Sequence, residues 1–338
     1  MVIHKKTTII DVARLSGFSI STVSRVLNGN YPVKRSTKEK IQETIDELKF
    51  SPNILARGLI GAKTSTIGII VPSLENLFFS ELIRGIDDIL RDNDYTAFIC
   101  STNEDDILEK KHISNLVDRK VDGIISISPD TRCMGSEYEV IAKSMPVIIV
   151  NGEHEGLNYH CVSSDQGAGT INALEYLISE GHKNIAFLRG HDIFAYNIKE
   201  DLFRDLLLEK GLKLEEALVA RISAGNSIST VDESMLAMLK IFNERRDFTA
   251  LFACNDLMAV GALNAALQLN IKVPQELRII GFDNTLICDI TQPTLSSVDQ
   301  GMKLLGVTSA QKMMALINGD ASTISNNIIK TKLVLRKT

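Results

Sequence analysis

From Thr66 onward, short apolar runs alternate with amphipathic stretches. The runs that have the length and composition of buried strands are 66–71, 95–100, 123–127, 147–150, 161–163, 185–188, 250–253, 278–281 and 295–298. Helical patterns lie between most of them, at 79–92, 105–119, 167–180, 200–210, 230–243, 256–269 and 300–317. This alternation predicts an α/β fold with parallel sheets and helices on both faces.

The strands are too many for one sheet in a domain of this size. We expect two similar lobes, one of residues 65–163 and 294–323 and the other of residues 164–293 and 324–338. Ligands in doubly wound folds bind at the carboxyl ends of the strands. The cleft between the lobes is therefore the expected ligand site.

Residues 1–51 carry a different pattern, that of short helices. Thr8 and Asp11 have the spacing of an N-cap and an acidic N3 residue, which predicts the start of a first helix with Ile9, Val12, Ala13 and Leu15 facing inward. Gly17 suits a tight turn, and Ser19 can cap a second helix that buries Val23, Val26 and Leu27. The first two helices therefore form an all-α helix-turn-helix headpiece.

A third helix completes this headpiece. Ser36 and Glu39 have capping-box spacing, and Ile41, Ile45 and Leu48 follow at helical intervals. Residues 1–62 hold ten Lys and Arg against five Asp and Glu, whereas the rest of the chain holds 27 against 37. The basic charge is thus gathered on the segment with the helix-turn-helix, as phosphate neutralisation requires.

The motifs of the first sixty residues resemble those of the LacI/GalR family of transcriptional regulators. The matching residues are Asp11-Val-Ala13, Ser19, Ser21-Thr-Val-Ser-Arg-Val-Leu-Asn28, Thr37, Glu39-Lys-Ile41, Leu48, Phe50, Pro52, Asn53, Ala56, Arg57 and Leu59. The resemblance implies a sequence-specific DNA-binding regulator with a two-lobed core like that of periplasmic binding proteins. The pattern alone, without the resemblance, also fits a plain three-helix bundle with an exposed Ser/Thr face.

By this resemblance, the second helix lies in the major groove. Ile20, Ser21 and Arg25 would read bases, since Arg can grip guanine O6 and N7 with two hydrogen bonds. Phosphate contacts and helix positioning would fall to Thr8, Ser19, Thr22, Ser24 and Asn28.

Residues 52–64 resemble the hinge helix and linker of the family. Asn53, Ala56, Arg57 and Leu59 would contact DNA, with Leu59 as an apolar wedge in the minor groove. Gly58 raises the cost of ordering this helix, because glycine is a poor helix former. A plain flexible linker is the alternative.

The core, residues 65–338, resembles the family's effector-binding domain. The residues that would contact an effector follow strand ends and are Asn76, Phe78, Phe79, Asn103, Asn151, Lys199, Asn255 and Asp283. One of the two Phe residues could instead be buried core. Asp256 has a structural explanation as a helix cap, which makes Asn255 the better candidate of that pair.

One departure from the family pattern concerns Lys199. Members that bind sugars or purines have Arg-x-x-Gly-Phe in the second lobe, and aligning on Phe203 puts Lys199 at the Arg position and Leu202 at the Gly position. Lys lacks the planar bidentate fork of Arg. Either the effector is held differently, or the alignment slips across residues 191–198.

Several other functions are less well supported. The chain has no phosphate-binding glycine motif and no G-x-S-x-G, so an enzyme is not expected. His154, His160 and Cys161 lack regular ligand spacing, which favours a polar loop over a metal site; no metal or cofactor is expected. A sugar-transport protein and an architectural DNA-binding protein are the remaining alternatives.

The location and partners follow from the same residues. Five scattered cysteines indicate reduced thiols, and no signal peptide or membrane-length apolar run is visible, so we expect a cytoplasmic protein. The resemblance implies a homodimer on a near-palindromic operator, with a small effector, a sugar or sugar derivative, between the lobes; a nucleobase or nucleoside is the alternative. No Leu heptad follows the apparent strand at 332–338, which favours a dimer over a tetramer. Repression is expected by resemblance, whereas the residues do not fix the sign of the effector's action.

Overall fold

The computed structural model describes residues 7–28, 32–50, 63–152, 158–320 and 324–338. The chain divides into one unit of Met1–Ser65 and a second of Thr66–Thr338. The predicted hinge residues Asn53, Ala56, Arg57 and Leu59, together with Gly58, lie outside the described residues. Their roles therefore stay predictions.

The N-terminal unit contains the three predicted helices, α1 (Ile9–Ser16), α2 (Ile20–Asn28) and α3 (Arg35–Glu47). The Asp11 carboxylate accepts hydrogen bonds from the Thr8 backbone N–H at 2.9 Å and from the Thr8 hydroxyl at 2.7 Å. Gly17 ends α1 with φ 77°, a left-handed conformation that glycine adopts without strain. The Ser19 hydroxyl accepts from the Thr22 N–H at 3.2 Å, which confirms it as the cap of α2.

The core of this unit confirms the predicted inward residues with one exception. Val12, Val23 and Ile41 are fully buried, and Ala13 and Ile45 nearly so. The inward position of Leu15 was wrong, because its side chain is 56% exposed. At 100° per residue, Ser16 lies between Val12 and Ala13 on the inner face and takes the buried place instead.

The start of α3 also differs from the prediction. The helix begins at Arg35, so Ser36 lies inside its first turn and cannot be the N-cap. Glu39 accepts a hydrogen bond from the Arg35 side chain at 2.8 Å instead of completing a capping box. Both side chains are exposed, so this i,i+4 pair contributes little to stability.

The first lobe of the second unit is built on a parallel sheet. Its first five strands are β1 (Thr66–Val71), β2 (Thr96–Ser101), β3 (Gly123–Ile127), β4 (Val147–Val150) and β5 (His160–Ser164). They pair in the order β2-β1-β3-β4-β5. The connecting helices are α4 (Leu77–Asp92), α5 (Asp106–Asp118) and α6 (Thr131–Ala142).

The second lobe repeats this arrangement. Its strands are β6 (Ile185–Arg189), β7 (Val219–Arg221), β8 (Ala250–Ala253), β9 (Arg278–Asp283) and β10 (Ser296–Asp299), in the order β7-β6-β8-β9-β10. Its helices are α7 (Gln166–Ser179), α8 (Phe194–Glu209), α9 (Ser229–Glu244), α10 (Asp256–Gln268) and the short α11 (Ile287–Ile290), with a 3₁₀ turn at Glu216–Leu218.

The remaining elements are α12 (Met302–Ile317), β11 (Asn326–Ile329) and β12 (Lys332–Val334), and the chain changes lobe before α12 and again between β11 and β12. β11 adds to the first sheet beside β5, and β12 adds antiparallel to β10 in the second sheet. The predicted residues at which the chain passes from one lobe to the other, 294 and 324, therefore lie too early in the sequence. β10 still belongs to the second sheet and β11 to the first. β10 pairs with β9 of the second lobe, and the chain passes to the first lobe only after β10. β11 pairs with β5 of the first lobe, and the chain passes to the second lobe only after β11.

The topology fixes where a ligand can bind. In each lobe the strand order reverses beside the first strand of the repeat, β1 or β6. A crevice forms at such a switch point, at the carboxyl ends of the strands.

Within the described ranges, no helix is long and apolar enough to cross a bilayer.

Candidate functional site

The outward face of α2 carries the predicted base-reading residues. Ile20 is 48% exposed, and Ser21 and Arg25 are exposed as well, whereas Val23 on the opposite face is fully buried. Ser24 is half-buried. An exposed isoleucine, a serine and an arginine on one helix face match an apolar contact to a thymine methyl group beside hydrogen bonds to base edges.

Hydroxyl groups cluster at the N-terminus of α2. The Ser19 hydroxyl lies 2.8 Å from that of Ser21 and 2.9 Å from that of Thr22. The N–H groups of a first helical turn and the helix dipole favour an anion at this position. The arrangement suits a DNA phosphate. Thr8, expected at a phosphate, has its hydroxyl bonded to Asp11, and Asn28 is the last residue of α2.

Seven of the eight predicted effector residues line one small inner cavity between the lobes. These are Asn76, Phe78, Phe79, Asn151, Lys199, Asn255 and Asp283. The inner cavity has a volume of about 50 Å³. Ligand pockets are typically about 300–1,000 Å³, so the free space of the inner cavity is smaller than that of a typical ligand site.

Lys199 lines this cavity with a buried side chain. It is 2% exposed, its Nζ donates to the Cys254 carbonyl at 3.2 Å, and it sits 3.8 Å from the centroid of the Phe282 ring. Burial lowers the pKa of Lys199, against the opposing influence of Cys254 and Asp283. Its alignment with the family's Arg stays a prediction.

Asp283 ends β9 and faces the same cavity. Burial raises its pKa well above the ordinary value, and the nearby Asp256 adds to this. The Gln300 amide donates to Asp283 at 2.6 Å, and the Gln300 carbonyl oxygen accepts from the Ser164 hydroxyl at 2.5 Å. Asn151 also donates to Gln300, at 3.4 Å. Asp283 and Asn151 are thus joined through Gln300 across the two lobes.

The roles of Asn255 and Asp256 are partly reversed from expectation. Asn255 is the N-cap of α10, since its side-chain oxygen accepts from the Met258 N–H at 2.9 Å. Its amide also faces the cavity and donates to the Gly225 carbonyl at 2.7 Å. The proposed capping role of Asp256 was wrong. Its carboxylate accepts from Thr285 and Ser297 instead, which ties α10 to the segments after β9 and in β10.

The two Phe residues serve as core and as cavity wall. Phe78 and Phe79 are 4% and 2% exposed and belong to the apolar core of the first lobe. Their rings meet edge to face with centroids 5.2 Å apart, and both line the inner cavity. Asn76 positions them, because its side chain caps α4 by accepting from the Phe78 N–H at 3.0 Å.

Asn103 does not join the other predicted effector residues. It lines a wider cavity of about 500 Å³, here called the mouth, together with Ser73, Glu75, Glu104 and Asn226. A third cavity of about 230 Å³, the side chamber, is lined by polar groups that include Glu104, Glu109, Asp130 and Asn226. Asn103 thus borders the mouth and not the inner cavity.

The sequence missed several residues that line the inner cavity, among them Gln300, Tyr196 and Asn226. Gln300 follows the end of a predicted strand, so the strand-end rule could have found it. Tyr196 lies in a first turn of α8 that precedes the predicted helical pattern. Asn226 lies in a loop whose composition carries no signal for this role.

Comparisons with known proteins cover both units. The family model for bacterial regulatory proteins of the lacI family matches residues 8–53, and the model for a periplasmic binding protein-like domain matches residues 174–338. A curated relative is catabolite control protein A of Priestia megaterium. It is 34% identical over 326 residues, which cover 96% of this chain and 96% of the relative.

Solved structures of similar architecture exist over the whole length. A lac repressor dimer bound to operator and the anti-inducer ONPF superimposes with a TM-score of 0.86 at 25% identity, covering 99% of each chain. The transcriptional regulator CelR in complex with cellobiose gives a TM-score of 0.71 at 25% identity, covering 98% of this chain and 99% of the other.

Proposed function

This chain belongs to the LacI family of bacterial regulatory proteins, and from that premise we propose that it is a repressor controlled by a small effector. It is a DNA-binding transcriptional regulator by family. The proposal adds a homodimer on a near-palindromic operator and a carbohydrate effector between the lobes. Because the relative is named for catabolite control, we further propose that the regulated genes serve the use of carbon sources.

The DNA side of the proposal is supported by the surface of α2. Ile20, Ser21 and Arg25 are exposed on one face, near hydroxyl groups at the helix N-terminus that suit a phosphate. The basic charge of residues 1–62 supplies the attraction to the DNA backbone.

The effector side rests on one observation above all. Seven residues chosen from separate strand ends and helix starts converge on one cavity at the switch point of the fold. Amides, a carboxylate and aromatic rings are the groups that bind carbohydrate hydroxyls and ring faces.

The DNA-binding proposal is tested with an operator selected by the wild-type protein from random duplexes. Arg25→Ala should weaken binding to that operator at least about fivefold without changing the oligomeric state, because one bidentate base contact contributes about 1–3 kcal/mol. The operator affinity of Arg25→Lys should lie between those of wild type and Arg25→Ala, because lysine keeps the charge but lacks the two parallel N–H donors of the guanidinium group. Equal operator affinity of wild type and Arg25→Ala would reject the proposal that α2 is the recognition helix.

The effector proposal is tested by a thermal-shift screen of the full chain with cellobiose, D-ribose and other sugars, and with adenosine and hypoxanthine. A ligand that binds only the folded state raises the melting temperature. Asp283→Ala should abolish the shift but keep operator binding. A shift with the purine compounds alone would favour the nucleobase alternative, and a sugar shift retained in Asp283→Ala would remove Asp283 from the site.

A further inference from the structure

The cleft between the lobes is divided into three cavities, and Asn226 lines all of them. It borders the mouth, the side chamber and the inner cavity. Asn226 belongs to the loop that follows β7 in the second lobe. Its side chain therefore stands where the open space of the mouth could otherwise continue to the inner cavity.

Asn226 bonds directly to two residues of the first lobe. Its side-chain oxygen accepts from the Asn76 amide at 3.0 Å, and its own amide donates to the Glu104 carboxylate at 2.6 Å. Two residues further on, the backbone N–H of Ile228 donates to the Glu75 carboxylate of the first lobe at 2.8 Å. Two of these three bonds have a charged acceptor, and such hydrogen bonds are the stronger kind.

The loop that carries Asn226 is fixed within its own lobe. The Gly225 carbonyl accepts from the Asn255 amide at 2.7 Å and from the Tyr196 hydroxyl at 3.3 Å. The Glu233 carboxylate accepts from the N–H groups of Ser223 and Ala224, both at 3.0 Å. Asn226 thus joins a rigid loop of the second lobe to α4 and the β2–α5 loop of the first.

We propose that Asn226 is the gate residue of the cleft, whose cross-lobe hydrogen bonds close the path between the mouth and the inner cavity, alongside the Gln300 bridge and the Arg132–Asp192 pair that also join the lobes. The inner cavity of about 50 Å³ admits no sugar ring. An effector of the proposed kind enters only after the bonds of Asn226 to Asn76 and Glu104 have opened. The entry step rests on the proposed effector function, whereas the gate itself is a property of the protein alone.

Two probes report the state of this gate in the full-length protein. The Ile228 amide exchanges its hydrogen slowly only while it is bonded to Glu75, so its exchange rate measures lobe opening. The Cys254 thiol is fully buried and lines the inner cavity, so its alkylation by iodoacetamide measures access to that cavity. Cys288 is equally buried in the second lobe away from the cavity and serves as an internal reference.

Two variants break the same bond from opposite sides. Asn226→Ala removes the bridging amide. Asn76→Asp keeps an oxygen that can cap α4 but removes the N–H₂ group that donates to Asn226. Ser227→Ala is the matched control, because its hydroxyl bonds Ser229, the first residue of α9 in the same lobe, at 2.7 Å.

Exchange at Ile228 and alkylation of Cys254 should both be at least tenfold faster in Asn226→Ala and Asn76→Asp than in wild type. Ser227→Ala should match wild type, and Cys288 should react at the same rate in all four proteins. The double variant should be no faster than Asn226→Ala, since that single variant already removes the bonds to both Asn76 and Glu104.

The gate is refuted if Ile228 exchanges in wild type as fast as in an unstructured peptide. It is equally refuted if Asn226→Ala leaves both rates unchanged, or if Cys288 accelerates as much as Cys254. These measurements need neither DNA nor sugar, so a failed effector screen would reject the proposed effector and leave the gate standing.

Discussion

Glu109 carries its carboxyl group into the interior of the first lobe. It is 5% exposed and accepts a hydrogen bond from the Tyr138 hydroxyl, which lies 2.7 Å from the Ser126 hydroxyl. Burial raises the pKa of Glu109, and the hydrogen bond from Tyr138 offsets this only in part. The folded protein therefore holds the Glu109 proton more tightly than the unfolded chain does.

This raised pKa predicts that Glu109→Gln is more stable than wild type by an amount that depends on pH. Above the unfolded pKa of about 4.3, the unfolded chain loses the proton first, so the wild type loses stability as pH rises toward the folded pKa. Glutamine does not titrate and can still accept from Tyr138. The variant should melt higher than wild type at pH 8, and the difference should shrink as pH falls to 4.

Thermal melts of both proteins across pH 4–8 measure this difference. Glu137→Gln is the control, because Glu137 is at the surface and its pKa is lowered by the ion pair with Lys110. A difference in melting temperature between wild type and Glu109→Gln that grows as the pH falls would contradict the raised pKa of Glu109.

Single residues also show what a sequence reveals about a site. The strand-end rule identified Asn76, Asn151 and Asp283, since backbone topology alone brings strand ends together. It could not assign the capping role between Asn255 and Asp256, because both are good caps and only the packing of Thr285 and Ser297 decides. Loop residues such as Asn226 depend on tertiary contacts and were not predictable.

At the scale of elements, α4 and α12 approach each other closely at two glycines. A Cβ built on Gly306 would lie 2.0 Å from the Leu82 carbonyl oxygen, and one built on Gly85 would lie 2.3 Å from the Lys303 carbonyl oxygen. Backbone atoms cannot move aside as a flexible side chain can. The absence of a side chain at both positions is therefore required for this helix pair.

Gly306→Ala should lower the free energy of unfolding of the core. Overpacking costs about 1–3 kcal/mol, more than the gain of up to about 1 kcal/mol in helix propensity. Urea unfolding followed by circular dichroism measures the change. Gly167→Ala on α7 is the control, because the nearest atom to a Cβ there is 3.6 Å away. If Gly306→Ala were as stable as Gly167→Ala, the close backbone contact between α4 and α12 at Gly306 would be refuted.

The predicted hinge helix offers a second test of an element. Gly58→Ala should strengthen operator binding or weaken induction, because it lowers the cost of ordering the helix by up to about 1 kcal/mol. Filter binding to the selected operator measures the affinity. Weaker binding of the variant would mean that Gly58 is needed for its own backbone conformation.

The predicted elements differ in accuracy for a physical reason. β1, β3, β4 and β8 have the predicted bounds because buried parallel strands are continuous apolar runs. The missed β7 has three residues, and the missed β11 is Asn-Asn-Ile-Ile with two exposed side chains. Edge strands of this kind lack the apolar run that marks a buried strand.

For the whole molecule, the sequence predicted two lobes but misplaced two of the points where the chain passes between them. A strand is assigned to a lobe by its hydrogen-bonded neighbour, and neighbours distant in sequence leave no local signal. β11 pairs with β5 across more than 160 positions of the chain, whereas β10 pairs with β9, the strand directly before it. The two lobes and the place of β10 were therefore predictable, since consecutive strands often pair, whereas the place of β11 was not.

The connection between β11 and β12 limits how the lobes can move. Only Lys330 and Thr331 separate a strand of one sheet from a strand of the other. Even fully extended, the three peptide units from Ile329 to Lys332 reach about 10–11 Å. The lobes cannot be pulled apart at that edge, so opening must be a rotation about an axis close to this short tether, with the largest displacement at the far rim of the cleft.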